Sequence, residues 1–274
     1  MLAGIYVNKN RDVGFVAAKR LISAFIKEEI PFVIHDSARI DGQTAYFGDD
    51  CAPCPDFIVV LGGDGTILSA VSFAAEKSIP VLGINLGNIG FLSSLGAERI
   101  EECAVRLKRG DYTLSSRSML ETTVGGKRLL ALNEIAFCKK NIGRTVTLTV
   151  RVGSAVLSSF KSDGYLVSTP TGSTAYALSC GGPVVSPYVK CNLLVPVSGH
   201  SMSSKPVVIE DDETVDISSD EPACVIADGR TDETATTRIT VKRSEVVTTF
   251  VTMDETNFYA KIHRKLGGNI KEGI

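Results

Sequence analysis

The sequence predicts an α/β protein with two domains: an N-terminal parallel α/β (Rossmann-like) domain and a C-terminal antiparallel β-sandwich-like domain. Two observations support this prediction. Strand-like and helix-like segments alternate up to about residue 115, and the later sequence consists mainly of strand-like runs of period two. The chain has 274 residues, enough for two ordinary domains. We therefore expect an α/β domain at 1–115 and a β-rich domain at 116–254, with residues 255–274 packing back onto the first.

The first half alternates strand and helix, which favours a parallel sheet with right-handed crossovers. The run at 56–62, DFIVVLG, is apolar almost throughout, as is typical of a strand covered on both faces. Residues 37–55 are polar and contain Gly, Pro and Asp, so we expect a loop there. The expected strands are 2–7, 31–36, 56–62 and 79–87, and the expected helices are 13–29, 66–77 and 97–109.

The second half has the pattern of antiparallel strands. Gly125-Gly126 separates two strand-like runs, which indicates a hairpin. A short helix is expected around 173–180, and a last helix at 257–267. The expected strand-like runs are 118–124, 127–140, 144–169, 192–198, 206–219, 222–229, 237–244 and 246–253.

Composition excludes several classes of partner. The net charge is −2 and the sequence has no basic block, which argues against a nucleic-acid partner. No apolar run approaches the ~18 residues of a membrane span, so we expect no membrane partner. The N-terminal apolar stretch is too short for a secretory signal. Seven scattered cysteines suit reduced thiols, so we expect a cytoplasmic protein.

A glycine-rich turn, GGDGT at 62–66, lies between a predicted buried strand and a predicted helix. Ligands of open α/β sheets bind at this strand-end position. Glycines let the backbone approach a phosphate closely, and the helix N-terminus attracts an anion. A second turn, GINLGNIGFL at 83–92, follows the next strand and should lie beside the first, which favours a nucleotide site. The predicted phosphate-binding residues are Gly62, Gly63, Gly65 and Thr66.

Asp64, inside this turn, indicates phosphoryl transfer. A carboxylate repels a phosphate unless a cation bridges the two, or unless the carboxylate takes the proton of a hydroxyl. A positioned general base contributes about 10²–10⁴-fold, and Mg²⁺ usually supplies charge neutralisation. The alternative is that Asp64 or Thr66 only caps the helix. The turn is neither a Walker A loop nor a G-x-G-x-x-G fingerprint.

Two further segments suit a nucleotide. Asn133-Glu134 interrupts the apolar strand LLALNEIAF, where polar residues either face solvent or serve a site. Asn suits an adenine edge and Glu suits ribose hydroxyls, whereas exposure on a surface strand is the alternative. Residues 160–187 are dense in Ser, Thr, Gly and Pro, and their hydroxyls at 169–174 with the ring of Tyr176 suit a base, a sugar and a phosphate.

Together these motifs resemble the NAD kinase (ATP-NAD kinase) family. The resemblance comprises GGDGT, GINLGNIGFL, Asn133-Glu134, SDGYLVSTPTGSTAYALSCGGP, GHSMSSKPVVI and Asp228-Gly229, in order from about residue 56 to 230. GGDGT alone is shared with diacylglycerol and sphingosine kinases. The stretch TPTGSTAY after Asn-Glu is much more specific.

The resemblance implies transfer of the γ-phosphate of ATP, or of polyphosphate, to the 2′-hydroxyl of the adenosine ribose of NAD, giving NADP. It implies Asp64 as the general base, a divalent cation (Mg²⁺) entering with ATP, and a homodimer or homotetramer formed through the β-rich domain. Many bacterial members have Gln where this chain has Arg230. The residues that match NAD contacts, or are expected to add to them, are Asp64, Gly65, Asn133, Glu134, Arg144, Lys161, Asp163, Thr174, Ala175, Tyr176, Ala177, Leu178, Ser179 and Arg230.

The alternatives are two rival functions and one rival site. A lipid kinase sharing GGDGT would need an apolar lipid pocket and membrane activity, and the sequence has no basic amphipathic helix. A non-catalytic NAD(P) sensor would bind the dinucleotide but transfer nothing, and Asp64 argues against it. Cys51-Ala-Pro-Cys54 has redox-like spacing, but it precedes a strand rather than a helix, and no second pair completes a zinc site.

Overall fold

The structure is a computed structural model that describes residues 1–87, 90–141, 143–199, 205–253 and 258–266. The expected C-terminal segment 255–274 is described only at 258–266, and the motif at 199–209 only in part. The chain divides into two compact units, Met1–Ser116 with Thr248–Ile274, and Arg117–Val247. No helix in the described part of the chain is both long and apolar enough to cross a membrane.

The first unit has a parallel sheet whose strands are joined by helices, which confirms the fold class predicted for this half. The sheet runs β3-β2-β1-β4-β5, and each neighbouring pair is parallel. The strands are β1 (Ala3–Val7), β2 (Phe32–His35), β3 (Tyr46–Phe47), β4 (Phe57–Gly62), β5 (Val81–Asn85) and β6 (Leu95–Gly96). The helices are α1 (Val16–Lys27), α2 (Asp64–Ala74) and α3 (Ile100–Arg109).

The prediction of a loop throughout 37–55 was wrong at one point. Strand β3 lies inside this region, because Ile34 and His35 of β2 pair with Tyr46 and Phe47. The two residues are too few to produce a periodic pattern in the sequence, so the pairing is visible only in the fold.

Strand β4 is buried along its whole length because helices cover both faces of the sheet. Val59 and Leu61 pack in one core cluster with Leu21 and Phe25 of α1. Helix α2 packs against β4 and β5 and buries Ile67 on that side. This double cover explains why the strand shows no alternation of apolar and polar residues.

Strands β4 and β5 end at the same edge of the sheet. Gly62, the last residue of β4, pairs with Asn85, the last residue of β5. The segments that follow are the two glycine-rich turns, so they lie side by side as expected. Helix α2 begins at Asp64, within the first turn.

The second unit is built mainly from antiparallel strands, as predicted for the second half of the chain. One sheet path runs β14-β13-β12-β9-β15-β16, and β10 pairs with β11 and β15. Strands β7 and β16 cross the boundary between the units, and α5 belongs to the first unit. The elements are β7 (Thr113–Val124), β8 (Lys127–Ala131), β9 (Glu134–Lys139), β10 (Val146–Val152), β11 (Ala155–Ser162), β12 (Gly164–Ser168), α4 (Tyr176–Ser179), β13 (Cys191–Val197), β14 (Val207–Glu210), β15 (Val215–Ala227), β16 (Arg230–Thr252) and α5 (Phe258–Leu266).

Two boundaries differ from the sequence-based expectation. The run LLALNEIAF is not one strand, because β8 ends at Ala131 and β9 begins at Glu134. The second unit ends at Val247 rather than near residue 254. The end of β16 belongs to the first unit because Phe250 pairs with Val81 of β5.

The core of the second unit lies on both faces of strands β9 and β12. Tyr165 and Val167 of β12 pack in the larger apolar cluster, whereas Leu166 between them points to a smaller cluster. Ala177 of α4 packs in that smaller cluster. The short helix is thereby fixed on the sheet face next to β12, which positions the segment that follows the TPTGSTAY motif.

Candidate active site

The GGDGT turn does not serve as a side-chain helix cap. The N-cap position of α2 is Gly63, and no side chain makes a capping hydrogen bond there. The hydroxyl of Thr66 instead accepts a hydrogen bond from Nδ2 of Asn8, at 2.9 Å. The capping alternative for Asp64 and Thr66 is therefore wrong.

The Asp64 carboxylate is held by backbone amides of the second glycine-rich turn. Oδ2 accepts the N–H of Phe91 at 2.8 Å, and Oδ1 accepts the N–H of Leu92 at 3.2 Å. A Cβ on Gly90 would lie 1.8 Å from Oδ1, so the neighbouring turn approaches closely only because residue 90 is glycine. An ionised carboxylate has about four lone-pair sites, so acceptor capacity remains for a substrate hydroxyl.

Glycine occupies the positions of the first turn for different structural reasons. A Cβ on Gly62 would lie 2.4 Å from Oγ1 of Thr66, so Gly62 gives room for a side chain of the protein itself. A Cβ on Gly63 or Gly65 would meet no described atom within 4 Å. The backbone at these two positions is therefore open to close approach by a ligand, at the N-terminus of α2.

Helix α5 fixes the turn that holds Asp64. Nζ of Lys261 donates to the carbonyl oxygens of Phe91, at 3.1 Å, and Ser93, at 2.8 Å. The ring of Phe258 lies 6.4 Å from that of Phe91. Sequence reasoning missed this role of Lys261, because a basic residue on a short helix carries no signal of a partner 170 positions earlier.

Asn133 and Glu134 are buried, with only 8% and 7% of their surface exposed. The alternative of exposure on a surface strand is therefore wrong. The carbonyl oxygen of Asn133 accepts the N–H of Thr169, at 2.8 Å, and the hydroxyl of Ser168, at 3.2 Å. A Cβ on Gly172 would lie 2.1 Å from the same oxygen. The TPTGSTAY segment thus packs directly against the Asn-Glu turn.

Asp228 organises the backbone of this turn. Its Oδ2 accepts the N–H of Leu132 at 2.7 Å, and its Oδ1 accepts those of Asn133, at 2.7 Å, and Glu134, at 3.2 Å. Its own N–H donates to the carbonyl oxygen of Glu134, at 3.1 Å. These bonds explain why the strand predicted through LLALNEIAF breaks here: three successive N–H groups point to one carboxylate.

Asp228 lies in a two-residue hairpin turn between β15 and β16. Ala227 pairs with Arg230, and the two residues between them, Asp228 and Gly229, have φ values of 49° and 76°. Positive φ at both central positions defines a type I′ turn, for which Asp-Gly is a preferred sequence. The sequence predicts a strand-like run that ends with this dipeptide, and it gives no signal of the contact with residues 132–134.

Glu134 carries a strongly perturbed carboxyl group. Burial and, after it, the charge of Asp228 raise its pKa to about 7, while the backbone amide of Tyr176 opposes the rise. Its Oε2 is buried and has no hydrogen-bond partner among the described residues. Buried polar atoms nearly always have a partner in native proteins, so this oxygen suits a ligand donor such as a hydroxyl.

Several hydroxyls of the TPTGSTAY region face the protein rather than a ligand. Oγ1 of Thr169 donates to the carbonyl oxygen of Leu132, at 2.6 Å. The hydroxyl of Ser173 donates to the carbonyl oxygen of Val185, at 3.1 Å, and accepts its N–H, at 3.0 Å. The expectation that the hydroxyls of 169–174 bind a nucleotide is therefore wrong for these two residues, which shape the turn instead.

The expected contacts at 174–179 lie in α4 and in the two positions before it. Thr174, Ala175 and Leu178 are half-buried, Ala177 is buried, and Tyr176 and Ser179 are exposed. The side chain of Tyr176 is close enough to Cys180 for a hydrogen bond, and burial is the main cause of its raised pKa. Helix α4 thus presents one aromatic ring beside the buried carboxyl group of Glu134.

The remaining expected residues are less closely joined to this network. Asp163 forms an ion pair with Lys139, and Nη2 of Arg230 donates to a backbone carbonyl of β8 at 3.3 Å. Arg144 precedes β10 and Lys161 lies on β11, and both are exposed. Among the residues that the structure describes, neither of these two side chains takes part in the hydrogen bonds around Asn133.

Comparison with known proteins gives one consistent family. Residues 21–112 match the ATP-NAD kinase N-terminal domain, and residues 132–253 match the ATP-NAD kinase C-terminal domain. An NAD kinase of Bacteroides fragilis is 38% identical over 198 residues, covering 69% of this chain and 68% of the relative. An NAD kinase of Heliobacterium modesticaldum is 32% identical over 276 residues, covering 96% and 97%.

A solved structure agrees with these relatives. The crystal structure of an NAD kinase from Archaeoglobus fulgidus in complex with ATP superimposes with a TM-score of 0.81. The identity is 26%, and the match covers 97% of this chain and 99% of that one. The similarity therefore extends over both units.

Proposed function

The chain belongs to the ATP-NAD kinase family, and we propose that Asp64 is the general base of its reaction. The enzyme is a phosphotransferase that phosphorylates NAD to NADP, with ATP as phosphoryl donor and an alcohol group as acceptor. The observation that supports the role of Asp64 is its position. Its carboxylate lies at the edge where two parallel strands end, held by two backbone N–H groups.

The base would act on the 2′-hydroxyl of the adenosine ribose. Two N–H bonds fix the orientation of the carboxylate, and its other lone pairs can accept the hydroxyl proton as the oxygen attacks phosphorus. A base of this kind contributes about 10²–10⁴-fold. Positioning of the two substrates and neutralisation of phosphate charge supply the rest.

We assign phosphate binding to the open backbone of the first turn. Gly63 and Gly65 leave the chain accessible, and α2 adds roughly half a positive charge at its N-terminus. The hydroxyl of Thr66 bonds to Asn8 and its backbone N–H donates to the carbonyl oxygen of Gly63, at 2.9 Å, so Thr66 would support the phosphate site by holding the turn in shape. Gly62 contributes indirectly, by making room for Thr66.

We assign NAD binding in the second unit to the network around the Asn-Glu turn. The unpartnered Oε2 of Glu134 would accept a ribose hydroxyl, and Asn133 would contact the adenine edge. Arg144 and Lys161 are exposed cations and would add contacts to charged parts of NAD. The other proposed contacts in this unit are Asp163, Thr174, Ala175, Tyr176, Ala177, Leu178, Ser179 and Arg230. Asp64 and Gly65 of the first unit are also proposed to contact NAD.

The family relationship implies a divalent cation, with Mg²⁺ as the expected ion. The described residues contain no group of three or more metal-ligating side chains. A nucleotide-bound Mg²⁺ needs only one or two carboxylates besides the phosphates, so the described residues fit an ion brought in by ATP. Asp64, in the turn to which phosphate binding is assigned, would be the carboxylate beside such an ion. Such an ion would neutralise negative charge on the transferred phosphoryl group.

Assembly and location are part of the same proposal. We expect a homodimer or homotetramer formed through the β-rich unit, where strand β14 ends the sheet path and leaves Val208 52% exposed. A cytoplasmic location fits the seven cysteines, all of which are unpaired thiols.

The test is NADP formation from purified protein, NAD, ATP and Mg²⁺, read with an NADP-specific dehydrogenase. We expect NADP to appear and to disappear when the metal is omitted. Polyphosphate in place of ATP tests the donor, and a diacylglycerol acceptor tests the lipid-kinase alternative. NAD binding without NADP from either donor would favour the sensor alternative and reject the role of Asp64.

A further inference from the structure

We propose that Asp228 is a positioning residue for NAD binding: it holds the backbone of residues 132–134 so that the Glu134 carboxyl group faces the hydroxyls of a ribose. The proposal rests on the NAD-binding role proposed above for Glu134. It assigns to the Asp-Gly turn a function in the reaction, whereas the turn itself needs only a residue that tolerates positive φ.

The hydrogen bonds of Asp228 replace strand pairing at the point where the chain must turn. Strand β8 ends at Ala131 and β9 begins at Glu134, so the intervening N–H groups need acceptors from elsewhere. One carboxylate accepts three successive N–H groups, and the N–H of Asp228 returns a bond to the carbonyl oxygen of Glu134. The backbone of Glu134 is therefore bonded to Asp228 from both its N–H and its C=O.

Asp228 also acts on Glu134 through charge. The groups that face Glu134 are Asp228 from the β15–β16 hairpin and Tyr176 and Cys180 from the α4 segment, and Arg230 faces Asp228. Among these groups, only the Asp228 carboxylate raises the pKa of Glu134, in addition to the effect of burial. Removing that charge should lower the pKa of Glu134, an effect that a purely structural role would not predict.

Asp228→Asn is the appropriate substitution because it changes few contacts. Asn also tolerates positive φ, so the hairpin turn is kept. Its Oδ1 can still accept the N–H groups of Asn133 and Glu134, but its NH₂ group then faces the N–H of Leu132, where two donors meet. Asp220→Asn is the control, because Asp220 also accepts a backbone N–H, that of Thr147 at 2.8 Å, but is exposed.

The experiment measures kcat and KM for NAD from pH 5.5 to 9. We expect D228N to raise KM for NAD about tenfold while kcat and KM for ATP change less than about threefold, as for a residue that affects binding of one substrate. The limb of kcat/KM for NAD that reports Glu134 should move to lower pH. D220N should match the unsubstituted enzyme in both respects.

Three outcomes decide the matter. If Glu134→Gln raises KM for NAD but D228N leaves KM and the pH limb unchanged, the inference is wrong and the NAD-binding role of Glu134 stands. If Glu134→Gln itself has no effect on KM for NAD, the proposed NAD-binding role of Glu134 is wrong, and the inference that rests on it is wrong as well. If D228N does not fold, Asp228→Gly replaces it, since Gly-Gly also suits a type I′ turn; failure of both to fold would make Asp228 a folding residue and reject the positioning role.

Discussion

Gly90→Ala should disable the enzyme while leaving its fold intact. The added Cβ would lie 1.8 Å from Oδ1 of Asp64, whereas ordinary contact begins at 3.4 Å. The carboxylate must therefore retreat by about 1.6 Å, the difference between these distances. Such a movement breaks the bonds from Phe91 and Leu92 and takes the base away from the position that they define.

The magnitude follows from that displacement. A misplacement of about 1 Å at a reacting group can cost about 10²-fold in rate, which corresponds to about 2.7 kcal/mol of transition-state stabilisation. We expect kcat of G90A to fall by about this factor. Its melting temperature should change little, because the clash is with the end of a side chain that can rotate away into a half-buried site.

The assay is steady-state NADP formation with NAD and ATP varied in turn, together with thermal melts of the same preparations. Gly87→Ala is the matched control in the same turn, because among the described residues a Cβ there would meet only Nη1 of Arg11, at 4.0 Å. G87A should keep kcat within about threefold. A G90A enzyme with unchanged kcat would refute the reasoning, since the base would then need no fixed position.

Three further predictions concern the ionisation of Glu134, the hydrogen bonds of Lys261 and the requirement for Mg²⁺. The pKa of Glu134 is raised from 4.5 to about 7, so ionising this carboxyl group destabilises the folded protein by up to about 3 kcal/mol. The folded protein is therefore most stable below pH 4.5, where the group is protonated in both states, and it loses this amount of stability as the pH rises through 7. Glu134→Gln should therefore gain stability over the unsubstituted protein in urea melts at pH 8 but not at pH 4, and parallel curves would contradict this. Lys261→Met removes both hydrogen bonds to the turn that holds Asp64, and it should lower kcat about 3–10-fold with KM for NAD unchanged. Lys108→Met is the control, because it loses one exposed hydrogen bond to a backbone carbonyl and should leave kcat unchanged. Equal losses of kcat in the two variants would contradict the role of Lys261. EDTA should abolish NADP formation and excess Mg²⁺ should restore it, and turnover that persists in EDTA would exclude a metal requirement.

The location of the first turn could be predicted because its signals are local. An uninterrupted apolar strand, three glycines and a following helix are contiguous in the sequence, and parallel strands always bring their ends to one edge. The partners of Asp64 could not be predicted in the same way. Phe91 and Leu92 lie 27 and 28 residues later, and their N–H groups reach the carboxylate only because of the path of the second turn.

In the second unit, too, contacts between residues far apart in the sequence could not be predicted. The apolar pattern of LLALNEIAF predicts one strand, but a carboxylate about 95 positions later breaks it. The sequence also cannot tell an inward hydroxyl from an outward one, so Thr169 and Ser173 were expected at a ligand although they bond to the backbone. The composition of residues 160–187 indicates a nucleotide site, but only the packing shows which side chains face the protein and which are open to a ligand.

Asp64→Asn tests the central claim most directly. The measurement is turnover of NAD and ATP to NADP, with NAD affinity determined by calorimetry on the same protein. The account predicts that affinity changes by less than about threefold while turnover falls by at least about 10²-fold, because the amide cannot take the hydroxyl proton. Turnover within a few-fold of the unsubstituted enzyme would show that Asp64 is not the base.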